Sequence, residues 1–170
     1  KLLDRSIFTS DESFSKCWFT YYRTLKQRNS LLKNNRISDI YAWNIKLSDY
    51  GNIITRSRET FFNQTLEHFK IILNLINAVA VFDFLDHIKI EFFNGWGNQK
   101  TLLNNLEENI EADSRRKTTL QGPHKSDIKF FINGIDAKQV LSRGEQKFFS
   151  ILWSCAQNEV LKNVYDIDPI

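Results

Sequence analysis

Leu141-Ser142-Arg143-Gly144-Glu145-Gln146-Lys147 is a short polar turn that opens a strongly apolar helical run from Phe148 onward. The first amides of a helix have no internal partner and sit at the positive end of its dipole, so an anion can complete them. Ser142 can cap those amides or share its hydroxyl with a phosphate. Gly144, without a Cβ, lets a bulky anion approach the backbone, and Arg143 and Lys147 add cationic donors. Ser142-x-x-Glu145 is equally a capping box, which starts a helix with no ligand at all. On local chemistry alone the cap is the preferred reading, because capping boxes are frequent and anion sites are few.

Upstream of this turn, Ile128 to Ile132 alternates as a strand that turns at Asn133-Gly134, and Gly122-Pro123 is a turn before it. His124 has no serine or cysteine placed beside it by sequence, so a structural histidine is the preferred reading over a catalytic one. Arg115-Arg116-Lys117 is an exposed basic cluster. Residues 101 to 113 are expected to form one amphipathic helix whose acidic face, Glu107, Glu108, Glu111 and Asp113, is solvated. Before it, His87 to Phe92 alternates as a half-buried strand ending at Asn94-Gly95. Gly95-Trp96-Gly97-Asn98-Gln99-Lys100-Thr101 looks like a phosphate-binding loop, but the spacing fails: no glycine directly precedes the lysine.

Further upstream, Thr9 with Glu12 forms a capping-box pattern, and Phe14, Trp18, Tyr21, Leu25 and Leu32 recur at helical spacing to about Asn34. Arg28 takes an apolar position of that stripe, so it either finds a partner or faces a ligand. Arg23, Lys26, Lys33 and Arg36 lie near it on the same helix and could follow a phosphate backbone. Asn34-Asn35 breaks the pattern. Ser38 can cap a second helix with the stripe Ile40, Trp43, Leu47, Tyr50, Ile54, Phe62, Leu66, Phe69, Leu73 and Ile76, which predicts one helix of roughly 60 Å with Gly51 as its weak point. Two such helices joined by a short turn make an antiparallel hairpin. The last helix is expected from Arg143 to about Leu161, with Phe148, Ile151, Leu152, Cys155 and Val160 inward.

The chain has 170 residues and is 42% hydrophobic, enough for one core or for two lobes of something larger. No apolar run approaches a membrane span and no signal peptide is evident, so a cytoplasmic protein without membrane contact is expected. Cys17 and Cys155 make neither a disulfide framework nor a metal cluster. With no methionine, the chain reads as an internal piece of a longer protein. Charge is uneven. Residues 1 to 36 carry eight Lys and Arg against three Asp and Glu, residues 37 to 114 six against eleven, and residues 115 to 170 nine against six. Basic faces at both ends suit phosphate backbones.

The turn at 141–147 resembles the signature motif of ABC-type ATPase heads in the variant of the RecF family of bacterial recombination-repair proteins. Leu25-Lys26-Gln27-Arg28-Asn29-Ser30-Leu31-Leu32, Gly95-Trp96 and Gly122-Pro123-His124-Lys125 resemble that family in the same order. Lys125 stands where the family usually has arginine, which keeps the charge and loses the bidentate fork. The resemblance implies an α+β fold: a long antiparallel helical hairpin arm attached to part of an ABC-ATPase-like α/β head. The expected division is arm 1–80, connector 81–125 and partial head lobe 126–170.

It further implies an ATP-dependent, dimerising, DNA-binding clamp of gap repair and recombination, localised to the nucleoid and tied to replication and the SOS response. In it Ser142, Arg143, Gly144 and Lys147 would contact ATP on a second copy, with Ser142 and Glu145 as the helix cap. The DNA candidates are Arg23, Lys26, Arg28, Lys33, Arg36, Arg115, Arg116, Lys117 and Lys125, and the roles of Gly122, Pro123 and His124 stay open. ATP and Mg²⁺ belong to the intact parent, a weak ATPase. Duplex or junction DNA, a homodimer, and RecR- and RecO-type mediators are the implied partners. Neither G-x-x-x-x-G-K-[ST] nor a strand ending in paired acids is present, so no catalytic or metal residue is assigned here, and the segment alone is expected neither to bind ATP tightly nor to hydrolyse it. Two rivals are a helical-hairpin interaction module that never sees nucleotide, and the head of another chromosome-maintenance-type ATPase.

Overall fold

The computed structural model describes residues 3–78 and 88–168. His87, the expected boundary at 80/81 and the last two residues lie outside them. The described elements are α1 (Asp4–Ser10), α2 (Glu12–Lys33), α3 (Ile40–Asn77), β1 (Ile88–Phe93), α4 (Leu102–Glu108), α5 (Ile110–Arg116), β2 (Asp127–Ile132), β3 (Ile135–Asp136), α6 (Ala137–Val140) and α7 (Arg143–Tyr165). The mixed α+β reading holds: a long helical hairpin, α2 and α3, accompanies a small sheet of order β1-β2-β3. The chain forms two compact units, Lys1–Ser10 with Arg58–Phe92 and Ile128–Ile170, and Asp11–Ser57 with Phe93–Asp127.

In the first unit the core is aromatic. Trp153 of α7 has ring centroids of Phe69, Phe130 and Phe62 at 5.5, 5.6 and 6.0 Å, and Phe149 meets Phe130 at 4.9 Å. Offset and edge-on pairs of this kind add about 0.5–1.5 kcal/mol each beyond burial. The buried face of α7 is Phe149, Leu152, Trp153, Ala156, Gln157, Val160 and Leu161. The expected face is therefore corrected by about one residue: Ile151 is 51% exposed and Cys155 lies at the surface. Both stripes fit a 3.6-residue period, and Trp153, the largest side chain, decides between them. Asn133 and Gly134, with φ of 50° and 80°, make the two-residue turn between β2 and β3, in the register Ile132 opposite Ile135. Asp4 and Arg58 form a buried forked pair, Nε to Oδ1 at 2.7 Å and Nη2 to Oδ2 at 2.8 Å, which ties α1 to α3. Burial pushes the Asp4 carboxyl up, but the hydrogen bonds and charge of Arg58 outweigh it and hold the group below the usual carboxylate range.

In the second unit α2 begins two residues later than expected. Asp11, in extended backbone, accepts from the amides of Ser13 and Phe14, so it is the N-cap. Thr9 instead lies inside α1 with its hydroxyl on the Arg5 carbonyl. The hairpin turns where Asn35 adopts φ of 55° and Arg36 N–H reaches the Leu31 carbonyl. No side chain caps the 3₁₀ turn Ile37–Asp39, so Ser38 is not the cap. From there α3 runs 38 residues, about 57 Å. Gly51 is not a weak point but a buried close approach: a Cβ there would come 2.5 Å from Leu102 Cδ2 and 3.3 Å from Pro123 and Tyr21. The expected helix over 101–113 is two helices, split at Asn109, with Thr101 capping the first. Among the described residues no helix is long and apolar enough to cross a membrane.

The loop after β1 closes on itself. Asn94 Oδ1 accepts from the amides of Trp96 and Gly97, and the Gly95 carbonyl accepts from Gly122 N–H at 3.0 Å. Those amides are used internally, which agrees with the failed phosphate-loop spacing. Gly95 has φ of +105°, and a Cβ there would lie 2.0 Å from the Gly122 carbonyl oxygen, whereas Gly97, at φ of +87°, has open space around it. Gly97→Ala is therefore expected to cost about 1–2 kcal/mol, for backbone strain alone. Gly95→Ala, which also forces two backbones apart, is expected to cost about 3 kcal/mol or more. Urea unfolding of the two variants checks this, and equal costs would contradict the close approach.

Candidate functional site: the capped turn before the last helix

The turn that opens α7 is held from behind. Ile132, Ala137 and Leu141 form a small buried cluster with Ile88 and Phe130 against it. Asp136 caps α6 through the Lys138 amide at 2.9 Å, and the Gln146 side chain donates to the Leu141 carbonyl at 2.9 Å. Backbone and packing thus fix where Ser142 sits. Ser142 is the N-cap, with φ of −61° and ψ of 161°. Its Oγ accepts from Glu145 N–H at 3.3 Å, and Glu145 Oε2 accepts from Ser142 N–H at 2.7 Å. Both halves of the capping box are made. The Glu145 carboxyl is held below its ordinary value of 4.5, first by the Ser142 hydroxyl and then by the Ser142 amide.

Ser142, Arg143, Gly144 and Lys147 are all exposed. A Cβ added to Gly144 would find only the Ser142 hydroxyl, at 4.0 Å. No packing within the chain therefore calls for glycine there, and the space in front of its backbone is open. The cap and the anion-facing start use the same geometry, so building one does not close the other. Among the described residues there is no group of three His, Cys, Asp or Glu fit to hold a metal.

The basic candidates divide sharply. Arg23, Lys26 and Lys33 are exposed on α2, as are Arg115, Arg116 and Lys117 at the end of α5 and Lys125 after the Gly-Pro turn. Arg36 is exposed but paired with Asp39 at 2.5 Å. Arg28 leaves the set of DNA-facing residues, because it is 0% exposed. Its Nε donates to Asn44 Oδ1 at 2.7 Å, its Nη1 to Asp113 Oδ2 at 2.6 Å and Thr119 Oγ1 at 2.7 Å, and its Nη2 to the Leu106 carbonyl at 3.3 Å. Asp113, expected on a solvated acidic face, is 1% exposed, and its other oxygen accepts from Leu120 N–H at 2.9 Å. The gap in the α2 stripe announced a partner, but nothing local in the sequence picked Asp113 from its three acidic neighbours.

Gly122, Pro123 and His124 join the same unit. His124 Nδ1 lies 2.8 Å from the Tyr21 hydroxyl and Nε2 lies 3.0 Å from the Thr119 carbonyl. A carbonyl only accepts, so Nε2 carries the proton and Nδ1 accepts from tyrosine. The imidazole is a structural bridge. Asn29, missed by sequence reasoning, accepts from both the amide and the hydroxyl of Thr119 at 2.8 and 2.7 Å.

The chain is 35% identical over 168 residues to DNA replication and repair protein RecF of Nitrosococcus oceani, covering 94% of this chain and 44% of that protein. Its identity to RecF of Hahella chejuensis is 31% over 175 residues, covering 100% of this chain and 46% of that protein. For RecF of Francisella tularensis subsp. tularensis the identity is 33% over 177 residues, with 100% and 49% covered. The chain belongs to the RecF family. It spans about half the length of the curated relatives it matches. A solved structure of the recombination mediator protein RecF with ATP superposes with a TM-score of 0.82 at 22% identity, over 99% of this chain and 47% of that one, which shows the shared fold. A second RecF structure gives 0.82 at 21% identity, with 98% and 47% covered. No protein-family model matches.

Within this RecF-family chain two outcomes follow. Arg28→Ala leaves Asp113 buried and unpaired, with an expected loss of about 3–5 kcal/mol, whereas Arg28→Met with Asp113→Leu removes both charges and recovers most of it. Urea unfolding of wild type, single and double variants measures both. The second outcome concerns pH. Because the Glu145 carboxyl is lowered by folding, the cap's contribution is complete above the unfolded value and is lost as pH falls through the folded one. An NMR titration should place the Glu145 midpoint below 4.5, and Ser142→Ala should raise it. An unshifted wild-type midpoint would mean that the box does not form in solution.

Proposed function

We propose that this segment supplies the signature turn of a RecF-type ATPase, acting on ATP held by a second copy of the protein. The whole protein would then work as an ATP-dependent, DNA-binding clamp in gap repair and recombination. The observation that carries the reading is the turn itself. An exposed helix start bearing Ser142, Arg143 and Lys147, with open space before Gly144 and a fixed platform behind it, suits a terminal phosphate. The solved relatives with this fold include RecF with ATP, which supports ATP as the nucleotide.

In this mechanism Ser142 and the first amides of α7 receive the γ-phosphate presented across the dimer, and Arg143 and Lys147 offset its charge. Glu145 keeps the helix start formed whether or not nucleotide is present. Mg²⁺ would come with the nucleotide. Closure of two copies over ATP would couple nucleotide to DNA. RecR- and RecO-type mediators are the proposed protein partners, within the RecFOR pathway that the ATP-bound relative is described in.

The test is sedimentation of a full-length protein carrying this segment, with and without ATP, as wild type, Ser142→Arg and Ser142→Asp. Aspartate is itself a good N-cap, so that variant keeps the helix start while setting a like charge against the phosphate. ATP is expected to drive dimerisation of the wild type and of neither variant, while each monomer still binds ATP. If all three dimerise alike, the turn is only a helix cap, and a nucleotide-independent interaction module becomes the better reading.

A further inference from the structure

Between Ser13 and Arg36 the sequence contains no acidic residue, and none lies between Ser114 and Ser126. The second unit brings these two stretches together. Asn29, in the middle of the first, holds the Thr119 backbone and hydroxyl of the second, and the Arg28–Asp113 pair fixes the adjoining residues. Asp113, directly before the second stretch, is buried and matched to Arg28, so its charge does not reach the surface as a counterweight. Among the described residues none of Lys26, Lys33, Arg115, Arg116 or Lys117 is in an ion pair.

A shallow groove of about 430 Å³ follows α2, lined by Tyr22, Leu25, Lys26, Asn29, Ser30 and Lys33. Lys26 and Lys33 stand seven residues apart, about 10 Å along the helix axis, which spans about three phosphates of one strand. Between them lie the Asn29 amide and the Ser30 hydroxyl, and Tyr22 and Leu25 complete the lining. Protein interfaces are depleted in lysine and serine, whereas phosphate oxygens take most of their hydrogen bonds from Lys, Arg, Ser and Asn. The chemistry favours a nucleic-acid backbone over an acidic protein.

We infer that Lys26, Ser30 and Lys33 of α2, continued by Arg115, Arg116 and Lys117, form one backbone-phosphate track for duplex DNA, set in place by the Asn29–Thr119 contact. The inference rests on the DNA-binding part of the reading above and names the surface that would serve it. Contacts from lysine, arginine and hydroxyl groups to phosphate oxygens carry no base information, so the binding is expected to be sequence-independent.

The experiment is fluorescence anisotropy of the 170-residue chain with a labelled duplex of about 20 base pairs, between about 50 and 200 mM salt. Lys26→Ala with Lys33→Ala, and Arg116→Ala with Lys117→Ala, are each expected to weaken binding about tenfold and lower the salt slope by about two. Lys46→Ala with Arg56→Ala, exposed cations of α3 in the same unit, should change affinity less than about twofold. If the α3 pair costs as much, only net charge matters and the track is wrong. If wild type binds duplex and the track variants bind equally well, DNA binds elsewhere, which overturns the track and leaves the DNA reading intact. If wild type has no affinity for duplex, the track and the DNA part of that reading fall together. Loss of binding to polyglutamate with duplex binding unchanged would assign the surface to an acidic protein and overturn the inference.

Discussion

A guanidinium with no exposed surface has to place its five N–H donors inside the protein, and Arg28 does so on four acceptors from four separate segments. Asn44 comes from α3, Leu106 from α4, Asp113 from α5 and Thr119 from the loop that follows. Each acceptor meets a fixed direction of a planar fork, so α2, α3, α4 and α5 cannot slide past one another without breaking a charge-assisted bond. The rest of the second unit accommodates this hub. Gly51 allows α3 to come close to Leu102, Pro123 and Tyr21, and His124 bridges Tyr21 to the same Thr119 that Arg28 holds. The satisfaction is not complete: among the described residues the buried Asn44 Nδ2, Asn105 Oδ1, Ser114 Oγ and Gln121 Oε1 find no partner.

Much of this fold was legible in advance, and what was not has a physical cause. The length and continuity of α3 follow from apolar spacing that drifts as a straight helix does, so periodicity alone found it. Helix starts were less secure. Thr9 and Asp11 are both cap residues, and the choice fell to Asp11 because its carboxylate accepts from two amides while Thr9 turns back onto its own helix. The inward face of α7 was ambiguous because adjacent stripes share a period, and only aromatic rings from α3 and β2 select the one containing Trp153. Asp113 was the largest misreading. An acidic run on an amphipathic segment resembles a solvated face, and the break at Asn109 that turns Asp113 inward depends on contacts 85 positions away in the chain.

The candidate site shows the opposite balance. Local sequence was enough to draw the turn, cap and helix start correctly, yet it could not say whether a ligand is intended. The reason is that both uses require the same thing, unpaired amides offered at one end of a helix by a residue in extended backbone. What separates them is outside the cap. A turn that served only to begin α7 would not need Gly144, since no atom of the described residues crowds it, nor a cation at Arg143 beside the positive end of the dipole, where it is unfavourable without an anion. Residues that weaken the helix start in isolation, kept together on one exposed turn, are the physical mark that favours a phosphate.

The buried pair invites the same question, because an ionic hub is a poor way to gain stability. Desolvating two charges costs several kcal/mol each, and well-packed apolar replacements are often as stable or more so. Its value lies in position. An apolar hub would hold α2 against the 113–120 segment through contacts that tolerate a slip of a residue or a rotation of the helix. The fork of Arg28 tolerates neither, and Asn29, the next residue, holds the same buried Thr119 by its amide and hydroxyl. On the same two segments Lys26 and Lys33, and Arg115, Arg116 and Lys117, are exposed and, among the described residues, in no ion pair. Buried charge thus sets the spacing of exposed charge, and the same arginine that cannot touch a phosphate determines where its neighbours would meet one.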